Sequence, residues 1–186
     1  MTTADWLRSL PALTGQAPPL GAGLPAEPHA LFLAWLRQAV DAGVAEPHAA
    51  TLATIDPDGL PDARTLILKD VDARGWAFAG RRSSRKGAQL AVHPVAALDF
   101  WWQPLVRAVR VRGAVREASP AESAADLTAR FAVAREGIDD WVRWWIEPQR
   151  VEFWQGSPDR RHHRIVYLRT SDERGADRWI RSEERG

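Results

Sequence analysis

Ala49-Ala50-Thr51-Leu52-Ala53-Thr54-Ile55, then Asp56-Pro57-Asp58-Gly59, then Ala63-Arg64-Thr65-Leu66-Ile67-Leu68-Lys69: this stretch decides how the chain folds. Its flanks follow a strand-like period, and Asp-Pro-Asp-Gly is a strong turn signal. Ala50–Ile55 and Ala63–Lys69 therefore read as the two arms of an antiparallel hairpin. A second turn, Asp72-Ala73-Arg74-Gly75, leads into a third strand at Trp76–Gly80. Arg81–Arg85 reads as a loop and Gly87–Val92 as a short helix stopped before Pro94. Ala96–Trp102 and Val106–Glu117 form a long hairpin. In its second arm Val109, Val111, Gly113 and Val115 alternate with Arg110, Arg112 and Arg116.

Working outward, Pro28 opens a segment in which Leu31, Trp35 and Leu36 repeat at helical spacing up to Gly43, an amphipathic helix of about four turns. Residues 1–26, broken by prolines and glycines from Pro11 to Gly23, read as an irregular N-terminal arm. Toward the other end, Ser119-Pro120-Ala121-Glu122 supplies an N-cap, a proline at the first helical position and a capping-box glutamate, so a helix is expected to about Arg135. Strand-like pieces follow at Trp144–Ile146 and Val151–Trp154, with a final hairpin of Arg164–Thr170 and Arg178–Arg181 around Asp172–Gly175. Short antiparallel strands with a few helices specify an α+β domain built on a closed or nearly closed barrel. A chain of 186 residues suffices for one such core and is short for two.

Composition narrows the function. The net charge of +1 argues against a nucleic-acid binder that relies on a broad basic field. No apolar run reaches the length of a membrane span, and Met1–Arg8 is no signal peptide. With no cysteine, disulfide and thiolate chemistry are excluded, which fits a cytoplasmic protein. Of the 25 basic residues only Lys69 and Lys86 are lysines. Lysine presents a compact point charge on a flexible stem, so these two positions draw scrutiny.

Three segments carry chemistry. In Arg64–Lys69 the strand period puts Arg64 and Lys69 on opposite faces, each able to reach a separate anion. Solvated charges at a strand end are the plainer reading of that segment alone. In Ser83-Ser84-Arg85-Lys86-Gly87, hydroxyls, cations and the N–H groups of a helix start converge, as a phosphate monoester requires. In Val151–Gly156 with Arg160–Arg164, Trp154 is suited to packing on a flat ring and Arg160 to stacking on or pairing with an anionic aromatic ligand. Core packing is the default for aromatics in a chain with ten tryptophans. His162 and His163 are adjacent, face opposite ways and have no carboxylate at ligand spacing, so no metal site is expected. No Ser-His-Asp or paired-carboxylate arrangement supports a hydrolase.

Taken in order, these segments resemble the pyridoxamine 5′-phosphate oxidase family over roughly residues 24–182. The matching positions are Arg64 to Lys69, Ser84-Arg85-Lys86, and Glu152 to Gly156 with Arg160, His162 and Arg164. The resemblance implies an antiparallel split β-barrel over residues 27–186, a homodimer, and FMN held between the subunits. By the same resemblance Arg64, Ser84, Arg85 and Lys86 would hold the FMN phosphate. The Thr65, Leu66, Ile67 and Leu68 backbone would lie along the flavin, with Lys69 at the end of that run, and Trp154 and Arg164 would complete the cofactor site. Lys69 and Arg130 would meet the phosphate of a small phosphorylated or anionic substrate, with Arg160 and His162, the implied catalytic pair, orienting its ring. The implied activity is hydride transfer from pyridoxine or pyridoxamine phosphate to FMN, with O₂ reoxidising the flavin.

The chain departs from the family pattern at several points. Ala79-Gly80 replaces an aromatic–hydroxyl pair, and Ala108 a flavin-contacting glutamine. Asp126 and Ala134 fall where the substrate phosphate is otherwise held, and a segment before Trp141 is missing. These departures keep two alternatives in play. One is a flavin oxidase or reductase of the same barrel acting on another substrate, of phenazine or deazaflavin type. The other is a non-catalytic flavin- or B6-phosphate-binding protein.

Overall fold

The computed structural model describes residues 1–21, 23–130, 140–171 and 176–185. Among the described residues nine strands form one sheet: β1 (Ala49–Ile55), β2 (Pro61–Ile67), β3 (Asp70–Asp72), β4 (Gly75–Arg81), β5 (Val95–Trp102), β6 (Arg107–Glu117), β7 (Trp141–Gln155), β8 (His163–Ser171) and β9 (Asp177–Arg185). The helices are α1 (Thr3–Ser9), α2 (Pro28–Asp41), α3 (Arg85–Val92) and α4 (Pro120–Arg130). All pairings are antiparallel, in the order β2-β1-β5-β6-β7-β4-β3, with β8 and β9 branching from β7.

The two ends of that order are consecutive in the chain. Leu68 donates its N–H to His48 C=O (2.9 Å), extending the β1–β2 pairing, and Lys69 donates to Ala77 C=O (2.8 Å), extending β3–β4. The sheet therefore curls until its first and last strands meet at Leu68-Lys69, which is the barrel expected from the sequence. It is split because β7 has two partners on one side. Trp141–Ile146 pairs with β4, and Arg150–Gln155 with β8.

The sequence suggested two separate strands where β7 runs unbroken for 15 residues. Pro148 has no N–H to give a ladder, so Glu147–Arg150 reads as a break. The sheet absorbs it through a register shift between Arg112 and Gly113 of β6. A side chain at Gly113 would run into the Glu147 carbonyl, so glycine is what lets the two backbones approach there. A second correction concerns the arm. Residues 1–26 are not irregular throughout, because α1 forms at the very start. It has a capping box in which Thr2 Oγ1 accepts from Asp5 N–H (3.1 Å) and the Asp5 carboxylate accepts from Thr2 N–H (3.0 Å). The expected helix end at Arg135 and the turn at Asp172–Gly175 lie outside the described residues.

The core fills the barrel end covered by α2. Leu31, Phe32, Trp35 and Ala39 form its buried stripe. Phe32 meets Trp76 edge-on at 5.5 Å and Phe100 at 4.9 Å, and Trp35 meets Phe153 at 5.3 Å. Arg107 is 1% exposed yet has no carboxylate partner among the described residues. It donates to Gln155 Oε1 (2.8 Å), Gln38 and Pro18 C=O (3.4 Å), and lies 3.9 Å over the Trp35 ring. Burial pushes its guanidinium down to about 10. One side chain thus ties α2, β6, β7 and the N-terminal arm together.

Candidate functional site

The first group of site residues sits where β2 faces α3. Arg64 projects from β2 toward Leu52 and Thr54 of the paired strand β1. It donates to Thr54 Oγ1, to Gln89 Oε1 (2.8 Å) and to Asp62 Oδ2 (3.0 Å). Thr54 and Gln89 are each 2% exposed, so the guanidinium is positioned by buried partners. Arg85 opens α3 and reaches the same oxygen, Nε to Asp62 Oδ2 at 3.2 Å. Gln89, one turn on, donates to it as well (3.0 Å). Arg64 and Arg85 therefore converge on one point. Hydrogen bonding from Gln89, then the charges of the two arginines, hold the Asp62 carboxyl below the usual carboxylate range.

Ser84 caps α3 by accepting from Gly87 N–H (3.3 Å), and Lys86 Nζ lies 3.4 Å from Ser84 Oγ. Lys86 leans over the Trp144 ring at 5.8 Å and occupies the space that a side chain at position 80 would take. The Ala79-Gly80 departure thus has a physical consequence: it gives Lys86 room to lie against β4. Ser83 points elsewhere, donating its N–H to Asp140 (2.9 Å).

Residues 65–68 follow on β2, whose partner strand is β1 alone, leaving its outer edge open for a ligand among the described residues. Lys69 lies just past the strand. Its ammonium is 3.8 Å from Asp126 of α4, and both side chains are largely buried, at 17% and 9% exposure. Asp126 also accepts from the Trp141 indole N–H (2.8 Å). Arg130 ends α4, and the position of its side chain, like Ala134 and the segment before Trp141, lies outside what the structure describes.

The second group lies on β7 and the turn into β8. Trp154 packs against His162 (4.9 Å) and Trp101 (6.2 Å). Along one row across the sheet, Trp101 pairs with Ala108, Ala108 with Trp154, and Trp154 with Arg164. The small Ala108 separates the two tryptophans. Nδ1 of His162 accepts from Ser157 N–H (3.1 Å), so the neutral ring carries its proton on Nε2 and offers a donor there. Arg160 is exposed and sits at φ 63°, the left-handed region that costs a side-chain-bearing residue roughly 1–2 kcal/mol. Such strain collects at functional turns. Arg164 pairs with the buried Glu152 (3.4 Å) and with Glu184 (3.8 Å). Glu152 in turn gathers Arg110 and Arg150 (3.1 and 2.5 Å).

Within one chain the two groups sit on different strands, with β1, β5 and β6 standing between β2 and β7 in the sheet order. Among the described residues, neither Arg64 nor Arg85 makes a hydrogen bond or ion pair to Trp154, Arg160, His162 or Arg164. The residues also form no cluster of three or more metal-ligating side chains, within the described set.

Comparison with known proteins decides the family. Residues 36–155 match the model for pyridoxamine 5′-phosphate oxidase, and residues 141–183 match the pyridoxine 5′-phosphate oxidase C-terminal dimerisation region. The chain belongs to the pyridoxamine 5′-phosphate oxidase family. The dimerisation region carries the Trp154 group and supports a homodimer. A pyridoxine/pyridoxamine 5′-phosphate oxidase of Thermosynechococcus vestitus is 39% identical over 179 residues, 78% of this chain and 85% of that one. Its counterpart 1 from Ralstonia nicotianae is 40% identical over 174 residues, 76% and 82% of the two chains. Among solved structures, PhzG from Burkholderia lata, in complex with tetrahydrophenazine-1-carboxylic acid, superposes with a TM-score of 0.83. It is 24% identical, across 92% of this chain and all of that one. A pyridoxamine 5′-phosphate oxidase-related, FMN-binding protein from Nostoc punctiforme gives 0.64 at 16% identity, across 88% of this chain and all of that one.

Sequence reasoning missed Asp62, Thr54 and Gln89. The signal for the first was present, since Asp62 stands two residues before Arg64 on the same strand face. Thr54 and Gln89 come from a neighbouring strand and from α3, and only the register brings them in.

Proposed function

We propose that this member of the family is a cytoplasmic, homodimeric FMN-dependent oxidase that acts on pyridoxine or pyridoxamine 5′-phosphate. The observation that carries this reading is the convergence of Arg64, Arg85 and Gln89 on a single carboxylate oxygen beside the capped start of α3. Two guanidinium groups and an amide focused on one anionic oxygen suit a phosphate monoester. Held by these residues, FMN would supply a two-electron acceptor for the hydride leaving the substrate carbon that bears the amine or alcohol. The proton of that amine or alcohol would pass to solvent, and O₂ would take up the two electrons with two protons to give hydrogen peroxide.

This chain's own residues bind, orient and exclude water. Arg64, Ser84, Arg85 and Lys86 are assigned to the cofactor phosphate, and the open edge of Thr65–Leu68 to the flat ring. Trp154 and Arg164 of the second subunit close the other side. Arg160 and the Nε2–H of His162 orient the substrate ring, donating to it without removing a proton. Lys69 and Arg130 are assigned to the substrate's anionic end.

One observation favours a second reading. Lys69 is already matched by Asp126, and a carboxylate beside a substrate phosphate repels it. A flavin oxidase of the same barrel whose substrate has no phosphate, of phenazine type, fits that ion pair better. A visible spectrum of the purified protein with FMN, recorded anaerobically before and after adding pyridoxine 5′-phosphate, separates the two. Bleaching of the flavin band supports the first reading. A flavin that stays oxidised with both B6 phosphates removes it.

A further inference from the structure

We propose that Asp62 is a built-in competitor for the cofactor phosphate, holding the arginines of the anion site when no phosphate is there and so setting how tightly a phosphate monoester binds. The inference rests on reading Arg64 and Arg85 as the FMN phosphate site.

The geometry is that of a substitute anion. A single oxygen, Asp62 Oδ2, receives Arg64 Nη2 (3.0 Å) and Gln89 Nε2 (3.0 Å) and lies 3.2 Å from Arg85 Nε. These are the donors a phosphate oxygen would use. Asp62 lies 3.0 Å from Arg64 and 3.2 Å from Arg85, so a phosphate gathered by those two arginines sits close to its charge. Its contribution to placing Arg64 is redundant, because Thr54 and Gln89 Oε1 hold that guanidinium without it. Arg85 differs: its side chain is 80% exposed, and Asp62 is its ion-pair partner among the described residues. An ion pair that exposed is weak. A phosphate monoester, with a charge near −2 at neutral pH, can draw Arg85 away but must then sit beside the Asp62 carboxylate. Asp62 therefore lowers the affinity for any phosphate while leaving a phosphate-free ligand untouched.

The test compares FMN with riboflavin, which shares the ring and lacks the phosphate. Asp62→Asn keeps the shape and an oxygen acceptor for Gln89, and removes the charge. Binding is read by quenching of flavin fluorescence on the intact homodimer. Asp62→Asn is expected to bind FMN about ten- to a hundredfold more tightly, the scale of removing one unit charge a few ångströms from a phosphate at a protein surface. Riboflavin affinity stays within about twofold, and inorganic phosphate competes with FMN at correspondingly lower concentration. An unchanged or weakened FMN affinity in Asp62→Asn overturns the proposal, the weakened case meaning that Asp62 positions Arg85 for the phosphate. Asp62→Ser is measured beside it, so that a fold defect in one variant does not decide the matter. Wild-type protein that fails to prefer FMN over riboflavin, with Arg85→Ala making no difference, overturns the underlying phosphate-site reading as well.

Discussion

The Arg64 corner and the Arg160 turn are built in opposite ways. At the corner, each functional group projects from a paired strand or the first turns of a capped helix, and Thr54 and Gln89 that position it are buried. At the turn, Arg160 is exposed, held in a left-handed conformation and followed by a histidine fixed through one backbone hydrogen bond. The contrast matches the proposed division of roles, which assigns the grip on an anion to the barrel and selection among substrates to a turn and to α4, parts that change without disturbing the sheet. Lys69, just past β2, and Asp126, on α4, link the barrel to that helix.

Three substitutions break or sharpen that contrast. Arg64→Ala strikes the rigid region and has the largest effect. It strips a charged partner from buried Thr54 and Gln89, which costs roughly 1–3 kcal/mol of stability. It also lowers FMN affinity by about a hundredfold, the loss of a charge-assisted contact to phosphate. Thermal melting and fluorescence titration check the two effects separately. Asp126→Asn acts at that link. Freeing Lys69 is expected to raise kcat/KM for pyridoxine 5′-phosphate by about tenfold, the worth of one nearby charge, with FMN affinity unchanged. Steady-state peroxide production measures it, and a fall would mean that the carboxylate serves the substrate. Arg160→Gly touches only the turn. Relieving φ 63° is expected to stabilise the fold by about 0.5–1 kcal/mol, while turnover falls and FMN affinity holds. A melting temperature that drops instead would show that the Arg160 side chain braces the turn.

The barrel was legible because its evidence is local. The Asp56-Pro57-Asp58-Gly59 turn and the alternation of Val109, Val111 and Val115 announce their strands, and the order of motifs announces the family. Two features escaped, one because a distant residue overrides the local signal and one because a short capped turn precedes the proline- and glycine-rich stretch. Pro148 reads as a strand break until Gly113 is placed opposite it, and β7 then runs on. The proline- and glycine-rich arm reads as irregular, yet Thr2 and Asp5 close a capping box before Pro11 is reached. In the site, Arg64, Ser84, Arg85 and Lys86 were nameable from the sequence, but not Asp62, whose role appears only when β2 and α3 are side by side. From the sequence, Asp126 is nameable only as a carboxylate standing where a substrate phosphate is otherwise held, with no sign of its link to Lys69. The structure pairs it with Lys69 at 3.8 Å.

The central claim is that the Arg64 corner of one subunit and the Trp154 face of the other make one FMN site. Mixing two variants tests it most directly. Arg64→Ala and Trp154→Ala are each expected to bind FMN poorly, and random re-association of their subunits gives mixed dimers that carry one intact site and one doubly altered site. The account predicts that FMN binding returns to about a quarter of all sites, as the symmetry of a two-fold dimer requires. No recovery on mixing, with mixed dimers shown to form, would place both halves of the site within a single subunit and contradict it.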